Sequence, residues 1–406
     1  MPETRAAGGR YDVAVAGGGP AGCSAAIHLA QAGARVALLE ARAYPHDKLC
    51  GEFLSPECAG LLDGLGLTAA LRGLGPAAID TACLTAADGT IWETRLPGPA
   101  WGLTRRALDQ ALAQRAQAVG VDVRTGATVT RIDGGLASGF QVHIMGSGAP
   151  DLAARAVIAA HGRRGALDKA LDRRFLRRPQ PFVGLKTHLA GPPLPGRIEL
   201  HGFPGGYCGL SEVERGTAPG AAGRAANLAL LVREDVFRRV SGPGPERVPA
   251  FIRWMRGQNP RLETWLAQAA PLDERWLSIA QVPFGPKRAV VNEIFMAGDS
   301  AGLITPLAGD GIAMALRGGQ MAAERLLAFL AGRQTAAQAC AGYARDWRRQ
   351  FAGRVRLGRL LQVFMLRPRL LGFGLRVLNA APGMGEFVVT HTREAREVGK
   401  KAQEAG

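Results

Sequence analysis

The 406-residue chain has few cysteines and none of them is paired. Its six, Cys23, Cys50, Cys58, Cys83, Cys208 and Cys340, are scattered without a C-x-x-C pair. That spacing excludes a zinc site and a disulfide framework, and it fits a reducing cytoplasm. The seven histidines stand apart from one another, so no metal-ligand spacing is present. There is no P-loop and no Ser–His–Asp order. No apolar stretch is long enough to span a bilayer. Met1–Arg10 lacks the apolar segment of a secretory signal, so a cytoplasmic location is expected. Acidic residues are also in short supply, 34 against 50 basic ones, giving a net charge of +16. Such a balance suits nucleic acid, a membrane surface or an anionic substrate. No nucleic-acid motif accompanies it and aromatics make up only 6% of the chain, so no nucleic-acid partner is expected. What is present is a hydrophobic fraction of 47%, ample for a large core, in a chain long enough for two or three domains.

The stretch that organises the chain runs from Tyr11 to Glu40, YDVAVAGGGPAGCSAAIHLAQAGARVALLE. Val13–Ala16 is an apolar run of buried-strand type. The glycine turn Gly17–Gly22 follows, then an Ala-rich helical stretch ended by Gly33, then a second strand, Arg35–Leu39. Gly17 permits the tight turn, Gly19 lets backbone approach a pyrophosphate, and Gly22 seats the helix close to the strand. The helix start offers N–H groups and a positive dipole end to phosphates. Glu40, 18 residues after Gly22, is placed to accept a ribose hydroxyl. Strand, turn, helix, strand and acid in that order make a dinucleotide reading specific even in a chain with 55 glycines.

Further along, Ser55 and Pro56 predict a short helix through about Leu62. Residues 77–95 predict a β-hairpin turning at Asp88-Gly89. Thr104 predicts the cap of an amphipathic helix, Arg105–Val119. Short strands are expected at Val121–Arg124, Thr128–Asp133, Phe140–Met145 and Ala156–Ala160. Alternation over residues 172–285 predicts an antiparallel sheet with helices near 234–240 and 247–268. Val290–Met296 reads as one buried strand, and Ile312–Leu330 as a long helix. Residues 335–380 read as helical and basic.

Four landmarks occur in a fixed order: GGGPAG with Glu40, LTRRALDQALAQRAQAVGV, VIAAHGRRGAL and IFMAGDSAGLITPLAGDGIAMAL. Together, over residues 10–330, they resemble the FAD-dependent oxidoreductase superfamily of para-hydroxybenzoate hydroxylase-type monooxygenases and geranylgeranyl reductases. The resemblance implies an α/β chain, α+β overall. A discontinuous Rossmann-like FAD-binding domain would comprise residues 10–75, 98–171 and 286–334. An antiparallel substrate-binding sheet would comprise 76–97 and 172–285, and a helical C-terminal segment 335–406. It implies that Gly17, Gly19, Pro20, Ala21 and Gly22 hold the FAD pyrophosphate and that Glu40 and Ala41 hold the adenosine ribose. Arg105 would lie near the ribityl and phosphate portion, and Gly298 and Asp299 at the ribityl hydroxyls. Pro306, Gly309, Gly311 and Ile312 would lie against the isoalloxazine ring. A glycine turn opening a long helix puts N–H groups and a positive dipole end where reduced flavin carries negative charge.

The chain departs from the family pattern at His161-Gly162, where Asp-Gly is usual, which leaves the nicotinamide donor's binding open. Cys50 and Gly51 fall on a loop that can reach the ring face. The Cys50 thiol is read either as a proton donor or flavin-tuning group, or as a buried apolar cysteine. Tyr207 either orients a substrate or packs the sheet. The tryptophan-rich motif of the superfamily's halogenases is absent. The expected activity is hydride transfer from NAD(P)H to FAD, followed by hydroxylation of a hydrophobic aromatic, polyketide-like or isoprenoid small molecule. The alternatives are geranylgeranyl reductase-like reduction of carbon–carbon double bonds and a non-catalytic flavoprotein that binds a partner through its basic surface. The Arg-rich, apolar segment Arg348–Leu378 is open to three readings: a cap on the flavin domain, peripheral contact with an anionic membrane, or the interface of a homodimer rather than a monomer.

Overall fold

A computed structural model describes residues 10–381 apart from 147, 149, 179–180, 216–223, 273–275, 285–286 and 306–308. The chain opens with β1 (Tyr11–Ala16), α1 (Pro20–Gln31), β2 (Val36–Glu40) and β3 (Phe53–Leu54). Next come α2 (Glu57–Gly64), α3 (Thr68–Gly73), β4 (Ala77–Thr85), β5 (Ile91–Gly102) and α4 (Arg105–Ala118). Four strands follow, β6 (Asp122–Thr125), β7 (Thr128–Gly135), β8 (Gly139–Met145) and β9 (Leu152–Ala159), then the short α5 (Ala166–Ala170). The middle of the chain holds β10 (Phe182–Ala190), β11 (Gly196–Phe203), β12 (Gly206–Arg215) and β13 (Arg224–Arg233). After these come α6 (Glu234–Ser241), α7 (Arg247–Arg256), α8 (Pro260–Leu266), β14 (Ala270–Pro271) and β15 (Leu277–Ala280). The last stretch has β16 (Val290–Val291), β17 (Ile294–Met296), α9 (Gly311–Leu330), α10 (Ala336–Met365) and α11 (Pro368–Ala380).

Two sheets result. The first has the order β16-β17-β9-β1-β2-β6, with the β7–β8 hairpin joined to β9. Its centre is parallel: β1 pairs with β2 and β9, and β9 with β17. Parallel strands covered on both faces are apolar throughout, and Val13, Val15, Leu38, Val157 and Ile158 are fully buried. This is the Rossmann-like half of the mixed α/β fold. The second sheet runs β14-β10-β13-β12-β11-β4-β5-β3, with β15 on β10. The 77–102 hairpin therefore lies beside strands that begin a hundred residues later.

The structure corrects four local expectations. The second sheet is not wholly antiparallel, because β11 pairs with β4 in parallel; two strands from separate hairpins meet there, and no turn dictates their direction. Val290–Met296 is not one strand. Asn292 and Glu293 take left-handed backbone, φ 48° and 60°, and fold it into the β16–β17 hairpin. The helix expected over 247–268 is two, because Asn259 leaves the helix and caps the next one, accepting from Leu262 N–H at 3.3 Å, with Pro260 at its first position. The helix expected from Ser55 starts at Glu57, with Pro56 in the flanking position. Thr104 does cap α4, its Oγ1 accepting from Ala107 N–H at 3.2 Å. Among the described residues no helix is long and apolar enough to cross a membrane.

Candidate active site

The glycine turn sits at the carboxyl end of β1, where α/β sheets place ligands. Gly17 has φ +107°, and a Cβ there would stand 2.4 Å from the Ala160 carbonyl oxygen. A Cβ on Gly22 would stand 1.8 Å from the Gly17 carbonyl oxygen, so α1 lies directly on the turn. A Cβ on Gly19 would meet only the Arg105 guanidinium, at 3.5 Å. Gly22 is thus demanded by the protein's own packing, whereas Gly19 keeps open space in front of the helix start.

That space is the near end of a cavity of about 610 Å³. Its wall includes Gly17, Gly19, Pro20, Ala21, Glu40, Ala41, Cys50, Gly51 and Arg105. From later in the chain it includes Tyr207, Gly298, Asp299, Gly309, Gly311 and Ile312. Gly22 lies behind the turn, and Pro306 falls outside the described residues. Sites some 280 residues apart in sequence are therefore neighbours. A Cβ on Gly298 would stand 2.9 Å from Ala21 Cβ, and one on Gly319 of α9 would stand 2.2 Å from Ala21 O. Ser24 Oγ donates to Leu316 O at 2.8 Å. Gly162 N–H donates to Ser300 Oγ at 3.0 Å, tying the middle landmark to the last.

Glu40 holds the turn as well as facing the cavity: its Oε2 accepts from Gly18 N–H at 2.7 Å, while Lys48 Nζ lies 3.5 Å from Oε1. Tyr44, not singled out by the sequence, donates to Gly18 O at 2.6 Å, and burial pushes its phenol above the usual range. Arg105 is clamped by Asp109, with Nε–Oδ1 2.8 Å and Nη2–Oδ2 2.6 Å. Its burial works against the charge, but Asp109 more than offsets that and raises its pKa. Asp299 accepts from Arg163 Nε at 3.2 Å, and Arg163 Nη2 reaches Leu49 O at 2.7 Å, so Arg163 links the Gly298-Asp299 turn to the loop carrying Cys50. Lys287 donates to the carbonyls of Arg163 and Asp299 at 2.8 and 2.7 Å; burial lowers its ammonium to about 8. Arg163 and Lys287 carry no local sequence signal, because their partners come from other segments.

His161, in the place of the family aspartate, has Nε2 3.0 Å from Asp168 Oδ2. Asp168 is fully buried and also bound by Arg173 Nη1 at 3.1 Å. Burial disfavours its charge, but His161 and Arg173 hold it below the usual carboxylate range. A buried carboxylate thus stands behind the histidine, seven residues on in sequence. Cys50 Sγ accepts from Glu52 N–H at 3.4 Å. Glu52, buried and left-handed at φ 55°, binds the Lys186 ammonium, His188 Nε2 at 2.7 Å and Arg105 N–H at 2.8 Å. Lys186 and His188 are two apart on a strand whose only other polar side chain is Thr187, a spacing that puts both on one face. Tyr207 Oη is 3.1 Å from Thr305 Oγ1. Cys50 and Tyr207 border the same cavity.

Residues 10–188 match the family model described as FAD binding domain. The match spans 179 of the 406 residues, the part that begins with the β1–α1–β2 unit, and that part is an FAD-binding domain. Menaquinone reductase of Mycobacterium tuberculosis is 28% identical over 343 residues, covering 78% of this chain and 76% of that one. Digeranylgeranylglycerophospholipid reductase 2 of Methanopyrus kandleri is 28% identical over 359 residues, 84% and 83% of the two chains. 6-Methylpretetramide 4-monooxygenase of Streptomyces rimosus is 33% identical over 176 residues, 41% and 42%. The flavin-dependent brominase Bmp2 superposes with a TM-score of 0.76 over 95% of this chain and 93% of its own, at 18% identity, a likeness of fold. The open space before Gly19 and the glycine-lined start of α9 border one cavity, and walls so bare of side chains fit a bound dinucleotide.

Proposed function

We propose that this flavoprotein reduces carbon–carbon double bonds in the isoprenoid part of a lipophilic molecule, with NAD(P)H as the electron source. The observation that carries the reading is the far wall of the cavity. Beyond the ring-side turn it is built of Leu200, Tyr207, Leu231, Ile279, Val282 and Leu303, a surface that suits a hydrocarbon chain. The reductases it resembles along most of their length add weight. FAD, when bound, supplies hydride chemistry beside Gly309 and Gly311. The protein's own part is to seat the chain on the apolar wall, exclude water and deliver one proton. Saturating a double bond takes one hydride and one proton, and NAD(P)H leaves as NAD(P)+. The groups that would give that proton are the Cys50 thiol and the Tyr207 hydroxyl, both on the cavity wall and the latter joined to Thr305.

The second reading is hydroxylation, favoured by the partial match to the Streptomyces monooxygenase. Anaerobic incubation with NADPH or NADH and a polyprenyl quinone or lipid separates the two. Saturated product without oxygen is expected. Turnover only with oxygen would replace reduction by hydroxylation, and failure of either nicotinamide to bleach the flavin would leave a binding protein.

A further inference from the structure

We propose that the outward face of the α10–α11 corner is a docking surface for an anionic lipid bilayer, set over the far end of the cavity; it rests on the reading of a lipophilic substrate. Large apolar side chains exposed among the described residues number eight, and five of them are here: Leu360, Val363, Phe364, Leu370 and Phe373. Phe373 is 63% and Leu360 56% exposed. Leu360, Val363 and Phe364 are spaced i, i+3, i+4 and share one face of α10, as Leu370 and Phe373 share one of α11.

Charge selects the partner. From Trp347 to Ala380 the sequence holds eight arginines and no aspartate or glutamate. Arg354 and Arg376 are spent on Glu57 and Asp88 within the fold. Arg356, Arg367 and Arg369 stand exposed beside the apolar residues. Apolar side chains that enter the acyl boundary, ringed by arginines at headgroup level, match a leaflet of anionic phospholipid. A second copy of this chain would set these arginines against their own like in a two-fold contact, with no acid in either segment to meet them.

The inward face links the surface to the site. Met365, Leu371 and Leu375 are buried in one cluster with Tyr207, Leu231, Val282 and Leu303, all four of which border the cavity. Leu366 O accepts from Gly205 N–H at 3.1 Å, and Arg359 Nη2 donates to Phe284 O at 2.7 Å. The corner is thus fixed to the sheet that forms the far wall, one helix thickness from the bilayer it would touch.

The test uses the full, flavin-loaded chain and co-sedimentation with vesicles of phosphatidylcholine alone or with phosphatidylglycerol added. Binding at least tenfold stronger to the anionic vesicles, weakened by salt, is expected. Leu360→Glu with Phe373→Glu should lower it at least tenfold, and Arg367→Gln with Arg369→Gln should remove most of the preference for phosphatidylglycerol. Met145→Glu, at an exposed apolar residue on β8, should change nothing. Flavin absorbance and melting temperature check that each variant is folded. Equal binding to both vesicle types, no binding, or undiminished binding by the glutamate variant overturns the proposal. So does a glutamate variant that turns a dimer into a monomer with vesicle binding intact. Vesicle binding is read without turnover, so a failed anaerobic reduction with intact, patch-dependent binding sinks the substrate reading alone.

Discussion

The two ends of the cavity are built by different rules. At the near end, backbone makes much of the surface: Gly17 and Gly19 keep it bare, the starts of α1 and α9 offer N–H groups, and Glu40 and Arg105 border it. At the far end, side chains from β11, β12, β13 and β15, with Val282 and Leu303, make it, and the backbone is used up in the sheet. A backbone surface tolerates almost no substitution but recognises only the part of the ligand that every relative shares. A side-chain surface can be re-cut at each position, which is how one fold serves reductases, hydroxylases and halogenases.

The largest effect that would break this contrast is at the glycine turn. Gly22→Val places a Cβ where the Gly17 carbonyl already stands, 1.8 Å away, and neither backbone can yield. Colourless, poorly folded protein is expected. Gly19→Val has room within the protein and should fold with a melting temperature near wild type while losing FAD. Gly60→Ala, on α2 away from the cavity wall and with nothing within 4 Å of the added atom, should keep both. Melting temperature and flavin absorbance read on the three proteins decide it. If Gly19→Val keeps its flavin, the cradle does not lie where the open space is.

Next in size is the buried charge group between the two ends. Glu52 meets Lys186, which is 1% exposed, and His188. Burial raises the cost of its charge, but Lys186 and His188 together prevail and hold its pKa below the usual value. Glu52→Gln would strand the lysine charge and should cost about 3–5 kcal/mol of stability, measured by urea unfolding. Glu52→Gln with Lys186→Met should recover part of the loss, because an apolar pair often replaces a buried ion pair without penalty. A double variant no better than the single one would make the residues independent.

The same contrast explains what could be read from sequence. The β1–α1–β2 unit and the Thr104 cap are local: a turn, a helix start and a strand lie within a few residues of the signal. The split of Val290–Met296 is not. Glu293 accepts from Leu136 N–H at 2.7 Å, a partner 157 residues away, and that contact accompanies the left-handed turn at Asn292 and Glu293. Tyr44, Arg163 and Lys287 were invisible for the same reason, since each is defined by a carbonyl or carboxylate on another segment. Glu52 stood in plain view beside Cys50, but its meaning required Lys186 and His188 from β10.

The smallest effect concerns a buried polar cluster away from the cavity. His201 is fully buried on β11, its Nδ1 2.8 Å from Thr85 Oγ1, and Asn259 Nδ2 donates to the same hydroxyl at 2.9 Å. Nε2 is 3.4 Å from Glu199, itself bound to Arg261 at 2.6 and 3.0 Å. Burial lowers the imidazole to about 4; Glu199 opposes that shift and Arg261 adds to it. The unfolded chain, with an ordinary histidine near 6.5, then binds a proton that the folded chain refuses. Stability must fall as pH drops from about 6.5 to 4, by about 1.4 kcal/mol per unit once well inside that window and by about 3 kcal/mol in all. His201→Gln has no proton to take up and should lose that slope between pH 6.5 and 5, above the range where Glu199 begins to titrate. Urea midpoints of the two proteins at half-unit steps test it. Parallel curves would mean that water reaches the imidazole, and that β11 is less tightly closed against α8 than its buried neighbours require.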